Sequence, residues 1–187
     1  MTYSAAVPLE KPGAAPARRA TAREWYLAIN ELVVLTLQTL GVPASMVPVG
    51  TPSTRHGAAN AIDIRACFDD AVPGEIVAGG RKLVGSAQWR EGTAILQHGS
   101  MLIADDQQLL ARVAPSVQPA PVASLRQYLA TDPGVADFAT ALRRALDPVL
   151  TSLNAPPTAP LELDQQTAAT ALSLESHYAD PAWTWRR

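Results

Sequence analysis

Between Glu75 and Ile103 the chain reads "EIVAGGRKLVGSAQWREGTAILQHGSMLI". Three runs of β-forming residues are separated by Gly79-Gly80 and by Glu91-Gly92. A Gly-Gly pair between two such runs is the signature of a two-residue hairpin, because glycine adopts positive φ without a Cβ clash. The stretch is therefore expected to fold as a three-stranded antiparallel meander. Strict alternation along its middle strand would put Lys82, Val84, Ser86 and Gln88 on one face. Leu83, Gly85, Ala87 and Trp89 would then share the other. Gly85, Ser86 and Ala87 are poor strand formers, and small residues in mid-strand mark close approach of another group to the backbone.

The rest of the chain supplies partners for that meander. "TYSAAV" at the start and "VPASMVPV" near residue 45 read as short strands. From Ala22 to Leu40 the apolar residues Trp25, Ile29, Leu32, Val33, Leu37 and Leu40 recur at helical spacing, and Gly41 stops the helix. "EKPGAAPARRATA" and "GTPSTRHGAANAIDIRA" read as loops. Asp105 and Asp106 read as the cap of a short helix. Beyond them, "VAPSVQPAPVAS" is expected to be a Pro-rich linker. "TDPGVADFATALRRALDPVL" is expected to be a helix opened by Pro133, with Val135, Phe138, Leu142, Leu146 and Val149 on one face. A last helix is expected in "LELDQQTAATALSLESHY". The expected architecture is α+β: a mixed β-sheet packed by helices, with a small helical C-terminal extension. Residues 1–112 form the sheet-bearing domain, and 113–187 form the linker and extension.

Charge and composition narrow the function. The formal net charge is −2. A nucleic-acid or anionic-membrane surface needs clustered cations, so neither partner is expected. No apolar run approaches the length of a membrane span, and the N-terminus lacks a charged-then-apolar leader pattern. The single cysteine, Cys67, cannot form an intrachain disulfide, and the expected location is the cytoplasm.

Several residues are candidates for chemistry. Of the 15 basic residues, thirteen are arginine and only Lys11 and Lys82 are lysine. Lys82 follows Arg81, which already supplies a surface charge. A lysine gives a compact three-donor charge suited to one carbonyl or phosphate oxygen. The competing reading is an ordinary solvated lysine. Cys67 is either a small buried hydrophobe or a thiolate nucleophile activated by a nearby cation. His98, in "QHGS", is either a structural histidine or a site residue. The three histidines show no metal-ligand spacing with Cys67, so no metal is expected. Asp69, Asp70 and Glu75 read as solvated or turn-forming. No phosphate-cradling loop and no serine-hydrolase elbow is present.

The run "ACFDDAVPGEIVAGGRKLVGSAQWREGTAILQHGSMLI" resembles the lipoate–protein ligase and octanoyltransferase family of the biotin/lipoate ligase superfamily. The match is nearly continuous from Ala66 to Ile103. It rests on the ACF cysteine segment, the G-R-K-L-x-G-S-A-Q run and the L-Q-H-G-S strand. Weaker similarity reaches "TYSAAVPL", the Trp25–Leu40 helix and the tail "HYADPAWTWRR". Where relatives often carry an aromatic before the glutamate, this chain has Gly74.

The resemblance implies an enzyme of protein lipoylation with a ligase-like catalytic domain. Lys82 would contact the acyl carbonyl, or an acyl-adenylate. Gly85, Ser86 and Ala87, with His98, would line the acyl substrate. Cys67 matches the cysteine that carries an acyl thioester in the octanoyltransferase branch. The transferase route uses no cofactor, whereas the ligase route uses ATP and Mg²⁺. Implied partners are acyl carrier protein and the lipoyl domains of 2-oxoacid dehydrogenases or the glycine cleavage H protein. The family also carries an Arg-rich, Gly-Gly-Gly segment upstream of the position where "MTYSAAV" stands. The expectation is therefore that the start is misassigned, that the chain is a fragment, or that a second polypeptide supplies this part; the alternative is a non-catalytic subunit or remnant that binds a partner chain.

Overall fold

The structure is a computed structural model that describes residues 1–9, 21–51, 68, 71–113, 120–152, 156–159 and 164–184. They belong to two compact units, Met1–Ala155 and Pro156–Arg187.

In the first unit, Gly79 and Gly80 have φ of 56° and 74°. Two consecutive positive-φ residues make the primed turn whose twist matches a right-handed hairpin. This turn joins strand β3 (Ile76–Ala78) to β4 (Arg81–Glu91). A second turn, with Gly92 at φ 55°, leads into β5 (Ala94–Met101). The meander expected from the sequence is therefore present. Strand β1 (Thr2–Pro8) pairs with β5, and β2 (Ala44–Met46) pairs with β3, giving the order β1-β5-β4-β3-β2. The α+β class is as expected. Every pairing among the described strands is antiparallel, where a mixed sheet was expected.

Helix α1 (Ala22–Thr39) starts at a capping box, in which Thr21 and Glu24 each satisfy the other's backbone N–H. It stops at Gly41, with φ 94°. There the Val42 N–H reaches the Leu37 carbonyl at 2.9 Å and the Gly41 N–H reaches the Gln38 carbonyl at 2.9 Å. These are the two bonds of a Schellman cap. The helix buries Ile29, Asn30, Val33, Val34, Thr36 and Leu37. Its apolar stripe packs on Val42, Ala44, Ile76, Ala78, Leu83 and Val84 to form the core.

A 3₁₀ turn (Gln107–Leu109) and the short α2 (Leu110–Val113) follow the sheet. The Asp105 carboxylate accepts the Gln107 N–H at 3.2 Å, whereas Asp106, the residue at the N-cap, makes no side-chain capping bond. The stretch read as a linker ends inside the core: Val122, Ala123, Ser124 and Leu125 are all buried. The Ala123 N–H donates to the Lys82 carbonyl at 2.9 Å and the Leu125 N–H to the Leu102 carbonyl at 2.9 Å. The segment thus takes up backbone groups at the ends of β4 and β5. Proline-rich composition hid this, because four buried residues show no periodicity. Helix α3 (Val135–Ser152) packs against α1 and buries Phe138 and Ala141. It begins two residues later than expected, with the Gly134 N–H held by Asp137 at 2.9 Å, and leaves Val135 exposed.

The second unit contains α4 (Gln165–Ala179), capped by Asp164, and α5 (Pro181–Thr184). The rings of His177, Tyr178 and Trp183 meet edge to face, with Tyr178 and Trp183 centroids 4.6 Å apart. Among the described residues, no helix is long and apolar enough to cross a membrane.

Candidate active site

The register of the β3–β4 hairpin slips by one residue beside Lys82. Val77 pairs with Lys82 and Ile76 with Val84, so Leu83 is the extra residue of a bulge. The slip breaks the alternation expected along β4. Lys82, Leu83 and Val84 are buried in succession, at 4%, 0% and 0% exposure. The face shared by Val84, Ser86 and Gln88 therefore does not continue to Lys82 through simple alternation.

Lys82 is not a solvated lysine. Its Nζ lies 2.9 Å from Glu75 Oε2, and both side chains are buried. The same oxygen accepts the Val72 N–H at 2.9 Å. The ring of Phe68 lies 5.9 Å from the ammonium, within cation–π range. Glu75 was expected to be solvated or turn-forming. It is a buried counter-ion, because the hairpin returns Lys82 to the level of the residue just before β3. Removing a charge from water is expensive unless it is paired and hydrogen-bonded, and Glu75 meets both conditions.

Two rows on one face cross strands β1, β5 and β4. Tyr3, Gly99 and Ser86 form one row, and Ala5, Gln97 and Gln88 the next. The Tyr3 ring lies close against Gly99, where a Cβ would come within 2.5 Å of Cζ and closer still to Cε1. Close approach to a glycine backbone is seen at Gly99, on the strand beside Ser86. The Tyr3 and Ser86 hydroxyls are 2.9 Å apart. Gln97 donates to Tyr3 at 3.1 Å and to Asn30 Oδ1 at 2.8 Å. Gln88 donates to Gln97 at 3.0 Å. Asn30 in turn donates to the Gly74 carbonyl at 2.8 Å. Gly74 has φ 91°, and a Cβ there would meet Leu27 and Tyr26 at 3.0 and 3.1 Å. This fits the glycine found where an aromatic was expected. Burial pushes the Tyr26 phenol up, and the nearby Glu75 charge adds to that; its hydrogen bond with Asn30 opposes it.

The structure thus places the predicted residues in different settings. Lys82 lies with Glu75 and Phe68, while Ser86 joins the Tyr3–Asn30–Gln97 network. Gly85, Ala87 and His98 lie on the opposite face of the sheet from Ser86, and Ala87 and His98 are exposed. His98 Nδ1 is 3.0 Å from the Ser4 hydroxyl. Cys67, His56, Asp69 and Asp70 lie outside the described residues. Among the described residues, no three His, Cys, Asp or Glu side chains gather into a metal-binding group. Glu75, Asn30, Tyr3 and Tyr26 were not singled out from the sequence as site residues. A polar residue at position 30, in the middle of the helix's apolar stripe, was the available signal for Asn30.

A five-stranded antiparallel sheet backed by a long helix, with a buried lysine–glutamate pair at a hairpin bulge, makes this an α+β domain. The family described as Lipoyl protein ligase A/B catalytic domain matches residues 2–147, and the chain belongs to it. The octanoyltransferase LipM of Moorella thermoacetica is 41% identical over 81 residues, covering 43% of this chain and 28% of that protein. The octanoyltransferase LipM of Brevibacillus brevis is 29% identical over 195 residues, covering 100% of this chain and 69% of that protein. A crystal structure of lipoate-protein ligase A bound with ATP superposes with a TM-score of 0.56 at 20% identity, covering 97% of this chain and 63% of that one; this likeness is one of fold. The chain spans well under half the length of the first curated relatives it matches.

Proposed function

We propose that the chain transfers an octanoyl or lipoyl group to the ε-amine of a lysine on a lipoyl domain. The observation that carries this reading is the buried Lys82–Glu75 pair within the segment that resembles the octanoyltransferases. An ammonium has three donors, so it can hold Glu75 and a substrate oxygen together. Glu75 and Phe68 keep it from swinging to solvent, and it stands ready where negative charge develops.

The route proposed runs through Cys67, whose role comes from sequence alone. Its thiolate attacks the thioester carbonyl of an acyl carrier protein. The carbonyl oxygen gains negative charge and is stabilised by Lys82. The carrier thiolate leaves and takes up a proton, and the acyl group stays on sulfur. The amine of the target lysine then attacks this second thioester. An amide forms, the amine loses a proton, and the Cys67 thiolate is restored. In the alternative, lipoate and ATP are co-substrates, and the amine attacks an acyl-adenylate without a covalent enzyme. The lipoyl domains of 2-oxoacid dehydrogenases and the glycine cleavage H protein are the proposed acceptors, in the cytoplasm.

The test is incubation with octanoyl-carrier protein, followed by intact mass and hydroxylamine treatment. One hydroxylamine-labile octanoyl group is expected, absent in Cys67→Ala. Full transfer by Cys67→Ala, dependent on ATP, would move the assignment to the ligase route. No adduct and no transfer under either condition would leave a binding role.

A further inference from the structure

We infer that Asn30 is a positioning residue for the Lys82 ammonium, acting through the turn that carries Glu75. The inference rests on the acyl-transfer reading only for its effect on rate. Asn30 is fully buried in the middle of α1, where an unpaired amide would be costly. Its Oδ1 accepts from Gln97 at 2.8 Å, from Tyr3 at 3.1 Å and, more weakly, from Ser86 at 3.4 Å. These three residues belong to β5, β1 and β4. Its Nδ2 donates in the other direction, to the Gly74 carbonyl at 2.8 Å.

One side chain therefore links three strands to a turn that belongs to none of them. The residue after Gly74 is Glu75. The rest of the turn is held by the Gly74 N–H on the Val47 carbonyl at 2.9 Å and the Val47 N–H on the Glu75 carbonyl at 2.9 Å. Those bonds tie the turn to the short segment after β2. Asn30 ties it to the sheet on which Lys82 itself is built. The distance between Glu75 and Lys82 is then set on both sides by the same framework. Tyr26, one helical turn before Asn30, packs on Gly74 from the same helix and limits how far the turn can shift. Asn30 touches no reacting atom in this scheme.

The chain has only two lysines, which makes Lys82 directly observable. Protein labelled with ¹³C at the lysine ε-methylene gives two signals, assigned with Lys11→Arg. Asn30→Asp keeps the size and the acceptors but loses the donor to Gly74. It is expected to move the Lys82 signal towards its position in Glu75→Gln. Tyr3→Phe removes a donor to Oδ1 but keeps the Gly74 bond, and should leave the signal in place. Asn30→Ser, too short to span to Gly74, serves if Asn30→Asp does not fold. In the transfer assay Asn30→Asp should lower kcat by about 10²-fold, as a displaced catalytic group does, with little change in KM. In a Lys82→Ala background it should lower the rate no further.

A folded Asn30 variant with an unmoved Lys82 signal would overturn the proposal. So would an equal shift in Tyr3→Phe, or failure of every Asn30 variant to fold, since each makes the amide a scaffold element alone. If no variant and no wild-type protein transfers acyl groups, the signal shift still decides the positioning role, and only the transfer reading falls.

Discussion

The Nζ of Lys82 and Oε2 of Glu75 are 2.9 Å apart, and neither side chain is open to solvent. Two charges removed from water in this way stabilise the fold little as a pair, yet neither can be lost alone without harm. Glu75 reaches this position from the turn before β3, and Lys82 from the bulge at the start of β4. The pair therefore depends on the hairpin being intact.

Lys82→Ala should leave a buried, uncompensated carboxylate. Its unfolding free energy is expected to fall by about 3–5 kcal/mol. Glu75→Leu combined with Lys82→Met replaces the pair with apolar groups and should regain most of that loss in a urea titration. The double variant should still transfer no acyl group. Recovery of stability together with activity would show that the pair is structural only.

Lys82→Arg keeps the charge but brings a wider planar group into a buried site. Transfer should drop by roughly 10²–10³, the loss expected for one misplaced oxyanion donor. Turnover close to wild type, measured at saturating acyl donor, would remove Lys82 from the chemistry.

Gly99→Ala would drive a methyl group into the Tyr3 ring. The loss of stability should be about 1–3 kcal/mol, typical of overpacking. Shortening Tyr3 to alanine in the same protein should cancel the steric part of that loss. Additive losses in the double variant would mean that the ring does not lie on Gly99 in solution.

The Tyr26 phenol is raised by burial and by the Glu75 charge. The unfolded chain releases this proton near the ordinary tyrosine value of about 10, and the folded chain releases it later. The folded state therefore binds more protons between the two values, and stability falls as pH rises through that window. Below it the contribution is fully present. Melting temperatures taken from pH 9 upwards should fall more steeply for wild type than for Tyr26→Phe. Parallel curves for the two proteins would refute the assignment.

Local chemistry was enough to read much of this molecule from its sequence. Gly79-Gly80 demands positive φ at two adjacent positions, so the hairpin was legible. Gly41 ends α1 for the same reason, and the apolar spacing of α1 and α3 marked both helices. The G-R-K-L-V-G-S-A-Q run singled out Lys82. Contacts between distant segments were not legible. Alternation put Lys82 on the face of Ser86, and a one-residue bulge removed that relation. Glu75 read as a solvated acid until the hairpin brought Lys82 to its side. Val122–Ser124 read as linker until the strand ends offered their carbonyls. Asn30 was not singled out, because Gly74 and the three strands whose groups meet its amide are distant along the chain. Propensity and turn geometry act within a few residues, and the sequence displays them directly. Burial, pairing of charges and satisfaction of buried amides depend on which segments meet, and the tertiary structure alone decides that.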